Sequence, residues 1–75
     1  MVVLITGAVG FFGSWIIREL LDMGEKVVLL DIKRDYSRID WVVPEARELP
    51  FVEGDITVEG VIENAVTKYN VDRII

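Results

Sequence analysis

Seventy-five residues make one small domain or a piece of a larger one, with 52% hydrophobic and 28% charged residues and a net charge of −5. That acidic balance, with basic residues scattered, excludes a non-specific nucleic-acid binder, which needs clustered Lys and Arg. The absence of Cys and His removes disulfide scaffolds, thiolate metal sites and the commonest general base, so no metal site is expected.

In chain order, Val2-Val3-Leu4-Ile5-Thr6 is a short apolar run ending in glycine, which suits a strand buried on both faces. From about Phe11 to Met23 the period becomes helical. Phe12, Ile16, Leu20 and Met23 share one side, with Ile17 and Leu21 beside them and Arg18, Glu19 and Asp22 opposite. Gly24 suits the helix stop. Val27 to Leu30 form a second buried strand that ends at Asp31. Residues 32–49 carry mixed charge and no sustained period, and are expected to be mostly loop with one helical turn around Glu45 to Leu49. Phe51-Val52 makes a short third strand. Thr57 is the expected N-cap of a second helix whose face is Val58, Val61, Ile62, Ala65, Val66 and Tyr69, with Asn70 as its left-handed stop. Arg73-Ile74-Ile75 begins a further apolar run.

Strands alternating with helices imply an α/β chain: a parallel sheet of three to four strands with crossover helices. No linker or repeat marks a domain boundary within residues 1–75. No basic residue precedes Arg18, and Gly7 and Gly10 interrupt the first apolar run. Neither a signal peptide nor a membrane span is therefore expected, and the default location is cytoplasmic.

Three of the six glycines fall in seven residues, directly after the first strand. Gly7 permits the sharp turn from strand to helix. Gly10 allows close approach of backbone to a ligand, and Gly13 lets the helix lie close to the strand. The N–H groups of Phe11 and Phe12 then face out of the helix start without intrahelical partners, beside the positive end of the helix dipole. Such a start suits a pyrophosphate. Asp31, 18 residues after Gly13 at the end of the second strand, suits the ribose hydroxyls and opposes a 2′-phosphate. The combination points to a dinucleotide, NAD in preference to NADP. The plainer reading of the glycines alone is a tight strand-to-helix turn with no ligand.

"TGAVGFFGSWIIRELLDMGEKVVLLD" resembles the N-terminus of the extended short-chain dehydrogenase/reductase family, the NAD-dependent sugar epimerases and dehydratases. Thr6 to Gly13 matches its T-G-x-x-G-[FY]-[IL]-G fingerprint, with Phe12 in the aliphatic slot. "FVEGDITVEGVIENAVTKYNVDRII" is similar to the family's strand–G-D-[IL]–helix–strand segment. The resemblance implies a partial Rossmann fold, NAD as cofactor, and the Asp55 side chain with the Ile56 N–H at the adenine edge. It also implies that residues 1–75 are the N-terminal part of an NAD-binding domain, without the catalytic segment or a substrate domain. Two departures stand out: Val58 replaces an acid frequent in the family, and the chain ends at Ile75, about where the family continues toward the nicotinamide. The family's Tyr-x-x-x-Lys pair has no counterpart, because Tyr36 is followed by Asp40 and Tyr69 by Arg73. No catalytic residue is assigned.

Lys33-Arg34 is a basic pair able to reach a 2′-phosphate, or a solvated one. Trp41 is expected to pack onto the sheet rather than cover an adenine, and Trp15 lies on the outer face of the first helix. Glu45, Glu48 and Glu53 are expected to be solvated. Two functions follow: a cofactor-binding fragment of an epimerase or dehydratase, or a non-enzymatic nucleotide-binding or interaction module. In the second, a partner or a second copy pairing at the open sheet edge completes the domain.

Overall fold

The computed structural model describes all 75 residues. Four strands, β1 (Val2–Thr6), β2 (Lys26–Asp31), β3 (Phe51–Glu53) and β4 (Arg73–Ile74), form one parallel sheet in the order β3-β2-β1-β4. Helix α1 (Phe11–Asp22) joins β1 to β2, and α2 (Val61–Tyr69) joins β3 to β4. The expected parallel sheet is therefore present with four strands. Neither helix is long and apolar enough to cross a membrane.

The continuous apolar run of β2 has its physical reason in two covered faces. Val27 and Leu29 join Val3 and Ile5 on the face covered by Ile17 of α1. Val28 and Leu30 join Leu4 on the face covered by Ala65 of α2. In the register of the central pair Thr6 lies beside Leu30, so β2 runs one residue beyond β1 and the turn after β1 begins next to Asp31. At the other side of β1, the two ends of the chain are tied together. Val2 N–H donates to the Asp72 carboxylate (2.8 Å), Ile75 N–H to Leu4 O (2.9 Å) and Thr6 N–H to Ile75 O (2.9 Å).

Three local expectations are corrected. First, α1 does not bury the side that carries Phe12, Ile16 and Met23. Its buried residues are Gly13, Ser14 and Ile17, with Leu20 and Leu21 packed beside them, and Phe12 is 84% exposed. Apolar residues span more of the helix circumference than the sheet can cover. On one flank Arg18 makes a bidentate pair with Glu45 (2.8 and 3.0 Å). At about 3.6 residues per turn, Phe12, Ile16 and Met23 fall on the other flank, toward β4.

Second, residues 32–49 hold two 3-10 turns, Ile39–Trp41 and Pro44–Glu48, rather than one. They are part of the core: Ile39, Val43 and Ala46 are fully buried against Val27, Leu29 and Ile17. Trp41, at the tip, is 90% exposed and does not pack on the sheet.

Third, α2 begins at Val61, not at Thr57. Gly60 adopts φ +91° and separates the helix from the preceding turn, while the Thr57 hydroxyl donates to Asp55 instead of capping. Val58 is thereby left exposed, and the rest of the expected face packs on the sheet or lies half-buried. Asn70 takes the expected left-handed stop, φ 53°. The glutamates expected to be solvated are exposed at Glu48 and Glu53 and half-exposed at Glu45, and two of them also have partners. Glu45 holds Arg18, and Glu53 accepts from the Arg34 N–H at 2.9 Å.

Candidate functional site

The turn after β1 is closed by Gly10 N–H donating to Gly7 O (3.1 Å), with Gly7 at φ +65° as the sharp reversal requires. The close approach expected of Gly13 is real, but it is to the turn rather than to the strand. A Cβ on Gly13 would lie 2.5 Å from Gly7 O and 2.9 Å from Ala8 O. Only a bare Cα lets the first turn of α1 rest on these carbonyls. Ser14 N–H to Gly10 O (3.1 Å) is the first bond of the helix ladder. The N–H groups of Phe11, Phe12 and Gly13 therefore have no acceptor in the protein. No side chain caps this start and no acidic residue lies in its first turn, so its positive potential is unneutralised from within α1.

Asp31 stands opposite, at the end of β2. Its Oδ2 accepts from Val9 N–H (3.1 Å) and its Oδ1 from Ile32 N–H (2.7 Å). Two clefts meet at this carboxylate. One, of about 360 Å³, is polar and lined by Val9, Gly10, Asp31, Asp35, Ser37 and Arg38. The other, of about 200 Å³, runs from Gly7 and Leu30 past Asp31 to Gly54, Asp55 and Ile56. The structure thus brings Gly7, Gly10 and Asp31 together, and places Asp55 and Ile56 on the same rim. Phe11 and Phe12 contribute main-chain donors, while their rings point to solvent.

Hydrogen bonds tune the two other carboxylates of the rim. The Thr57 hydroxyl (2.7 Å) and N–H (2.8 Å) both donate to Asp55 Oδ1 and hold its carboxyl below the usual range, leaving Oδ2 without a protein partner. Asp35 is likewise lowered, by the Ser37 N–H at 3.0 Å. Of the cleft residues, Val9, Asp35, Ser37 and Arg38 were not singled out in the sequence. Asp35 two residues before Ser37 is an Asx-turn signal that marks this loop, whereas nothing local distinguishes Arg38. Lys33 and Arg34 are both exposed, as the solvated reading of the pair has it. Arg34 turns toward β3, with its guanidinium 5.0 Å from the centre of the Phe51 ring, so Arg38 is the cation lining the cleft. Trp41 lines a small neighbouring groove with Phe11, Ser14 and Arg38.

The largest cleft, about 540 Å³, lies at the other end of the strands among Val2, Lys26, Pro50 and Tyr69. It is mostly apolar and has no cradle of free backbone donors, so the candidate site is placed at the strand C-termini, where open parallel sheets bind ligands.

The model of the NAD dependent epimerase/dehydratase family matches residues 3–75. The chain belongs to this family. Among curated epimerases, UDP-glucose 4-epimerase of Haemophilus influenzae is 29% identical over 80 residues, covering all of this chain and 23% of the relative. The crystal structure of Thermus thermophilus UDP-glucose 4-epimerase in complex with NAD superposes with a TM-score of 0.78 at 29% identity, over 99% of this chain and 22% of that one. The Bifidobacterium longum enzyme, in complex with NAD+ and UDP, gives 0.77 at 25% identity, over 99% and 23%. The chain therefore spans less than a quarter of these epimerase relatives, and what it resembles is their N-terminal Rossmann-like, NAD-binding region.

Proposed function

We propose that this chain binds NAD(H) as the N-terminal part of the dinucleotide-binding region of a nucleotide-sugar epimerase or dehydratase. The observation that carries the reading is the set of three unpartnered N–H groups of Phe11, Phe12 and Gly13 beside the Asp31 clefts. In this reading the pyrophosphate lies on those donors, over Gly7 and Gly10. Asp31 accepts the adenosine ribose hydroxyls, and Asp55 with Ile56 N–H meets the adenine edge. The free Oδ2 of Asp55 is an acceptor suited to an amino group. The residues present fit the cofactor: a donor cradle for the anion, a carboxylate for the diol and a narrow cleft for the base. NAD is favoured over NADP, because a 2′-phosphate beside Asp31 would meet a like charge.

When bound, NAD would supply hydride chemistry at its nicotinamide, and these 75 residues hold only its other end. Tyr69 packs on the sheet, and neither it nor Tyr36 has a lysine four residues on. In this reading these residues bind the cofactor and leave the hydride chemistry to groups other than their own. An amide NMR correlation spectrum tests the binding. Addition of NAD is expected to shift Gly7 to Gly13, Asp31 and Ile56, and NADP to shift them at higher concentration only. A dispersed spectrum indifferent to NAD refutes the proposal.

A second reading has its own support: an interaction module completed by a second copy. Both the outer edge of β4 and the flank of α1 with Phe12, Ile16 and Met23 are uncovered. A strand edge without a neighbour, even one as short as the two residues of β4, is a place where another strand can pair, and exposed apolar side chains add to it.

A further inference from the structure

The contacts of Asp31 serve the turn as much as any ligand. Two consecutive N–H groups of the glycine turn are tied to the end of β2: Ala8 N–H to Leu30 O (3.2 Å) and Val9 N–H to Asp31 Oδ2 (3.1 Å). Only the second tie runs through a side chain. The Asp31 carboxylate is itself fixed, because Oδ1 accepts the Ile32 N–H at 2.7 Å. Val9 N–H has no other acceptor, and without the carboxylate it would be an unsatisfied, half-buried donor.

We infer that Asp31 is a positioning residue that latches the Gly7–Gly10 turn to β2, and thereby couples the anion-binding start of α1 to the ribose end of the cleft. The inference rests on the NAD reading for its ligand, not for its geometry. Gly7 O and Ala8 O are the surface on which Gly13 sits. A turn held in place keeps the first turn of α1 seated with its three donors facing one point. A turn released from Asp31 swings on the Ala8 tie alone and carries Val9 and Gly10 across the place where phosphate binds. The same oxygen that accepts from Val9 retains a lone pair for a ribose hydroxyl. A nucleoside bound at Asp31 and an anion bound at α1 therefore stiffen the same turn, and each is expected to favour the other.

Inorganic pyrophosphate separates the latch from the ribose contact, since it has no ribose. Asp31→Asn keeps one of the two acceptor oxygens, which can serve Val9 N–H only by giving up Ile32 N–H or sharing between them, whereas Asp31→Leu keeps the branched shape and has no acceptor at all. Both remove one negative charge, which by itself favours an anion. Relative to Asp31→Asn, Asp31→Leu is expected to bind pyrophosphate about tenfold more weakly. It should also lose hydrogen-exchange protection at Val9 and Gly10 while Leu29 and Ser14 keep theirs. Equal pyrophosphate affinity and equal exchange in the two variants overturn the latch. Should the leucine variant fail to fold, Asp31→Ala makes the same comparison. Unfolding of both beside a folded asparagine variant would itself show that the acceptor holds the turn. If the wild-type chain binds neither NAD nor pyrophosphate, the NAD reading falls, while the exchange measurement still decides the latch.

Discussion

A methyl group on residue 13 would meet two backbone carbonyl oxygens, at 2.5 and 2.9 Å, and a backbone carbon at 3.0 Å. None of these atoms can rotate away. Gly13→Ala is therefore expected to cost about 1–3 kcal/mol, as overpacking in a fixed environment does. In a domain of this size that lowers the melting temperature by about 4–8 °C per kcal/mol, measurable by circular dichroism. The same substitution should weaken NAD binding, because the donors of Phe11 and Phe12 move with the helix start. Asp55 offers a different residue-scale test. Its carboxyl is lowered by Thr57, so its contribution to stability is complete above the ordinary carboxylate value and is lost as pH falls through the lowered folded value. Thr57→Val removes the hydroxyl donor, and the Asp55 titration followed by NMR should move back up. An unmoved titration would mean that the backbone N–H of Thr57 alone sets it.

At the scale of elements, neighbouring residues of α1 make the sharpest contrast. Ile17 is fully buried against Val3, Ile5 and Leu29, whereas Ile16 lies on the uncovered flank. Ile17→Ala is expected to cost about 2–5 kcal/mol in denaturant unfolding, and Ile16→Ala about 0.5 kcal/mol or less. Equal losses would mean that the flank is covered in solution. This contrast also shows what the sequence can convey. The runs Val2–Thr6 and Val27–Leu30 announced their strands because only a two-faced strand tolerates continuous β-branched and apolar residues. The glycine turn and Asp31 were legible because their chemistry lies in the main chain and in one carboxylate at a strand end. In α1 the periodicity fixes how wide the apolar arc is, not which part of it the sheet covers. The start of α2 was missed because a left-handed Gly60 outweighs a capping threonine already bonded to Asp55. The buried Ile39, Val43 and Ala46 sit in turns too short to show a period. Arg38 joins the cleft through the path of that same loop, which no local pattern dictates.

For the whole molecule, two surfaces are uncovered: the outer edge of β4 and the apolar flank of α1. If a second copy covers them, sedimentation velocity should show a mass that rises with concentration, and Phe12→Lys should hold the chain monomeric. A wild-type chain that stays monomeric at high concentration and binds NAD puts the NAD-binding fragment ahead of a module completed by self-association. The ties between the chain ends carry a kinetic consequence. β1 meets β2 after a short excursion through α1, but it meets β4 only when residue 2 finds residue 72, a sequence separation of 70. Entropy of loop closure makes that second meeting the later one. A nascent chain would therefore carry β1 with one side zipped and the other bare until residues 72–75 have been made. The interval in which a stranger can claim that side is set by the time needed to make residues 32–75 and bring residue 72 to residue 2.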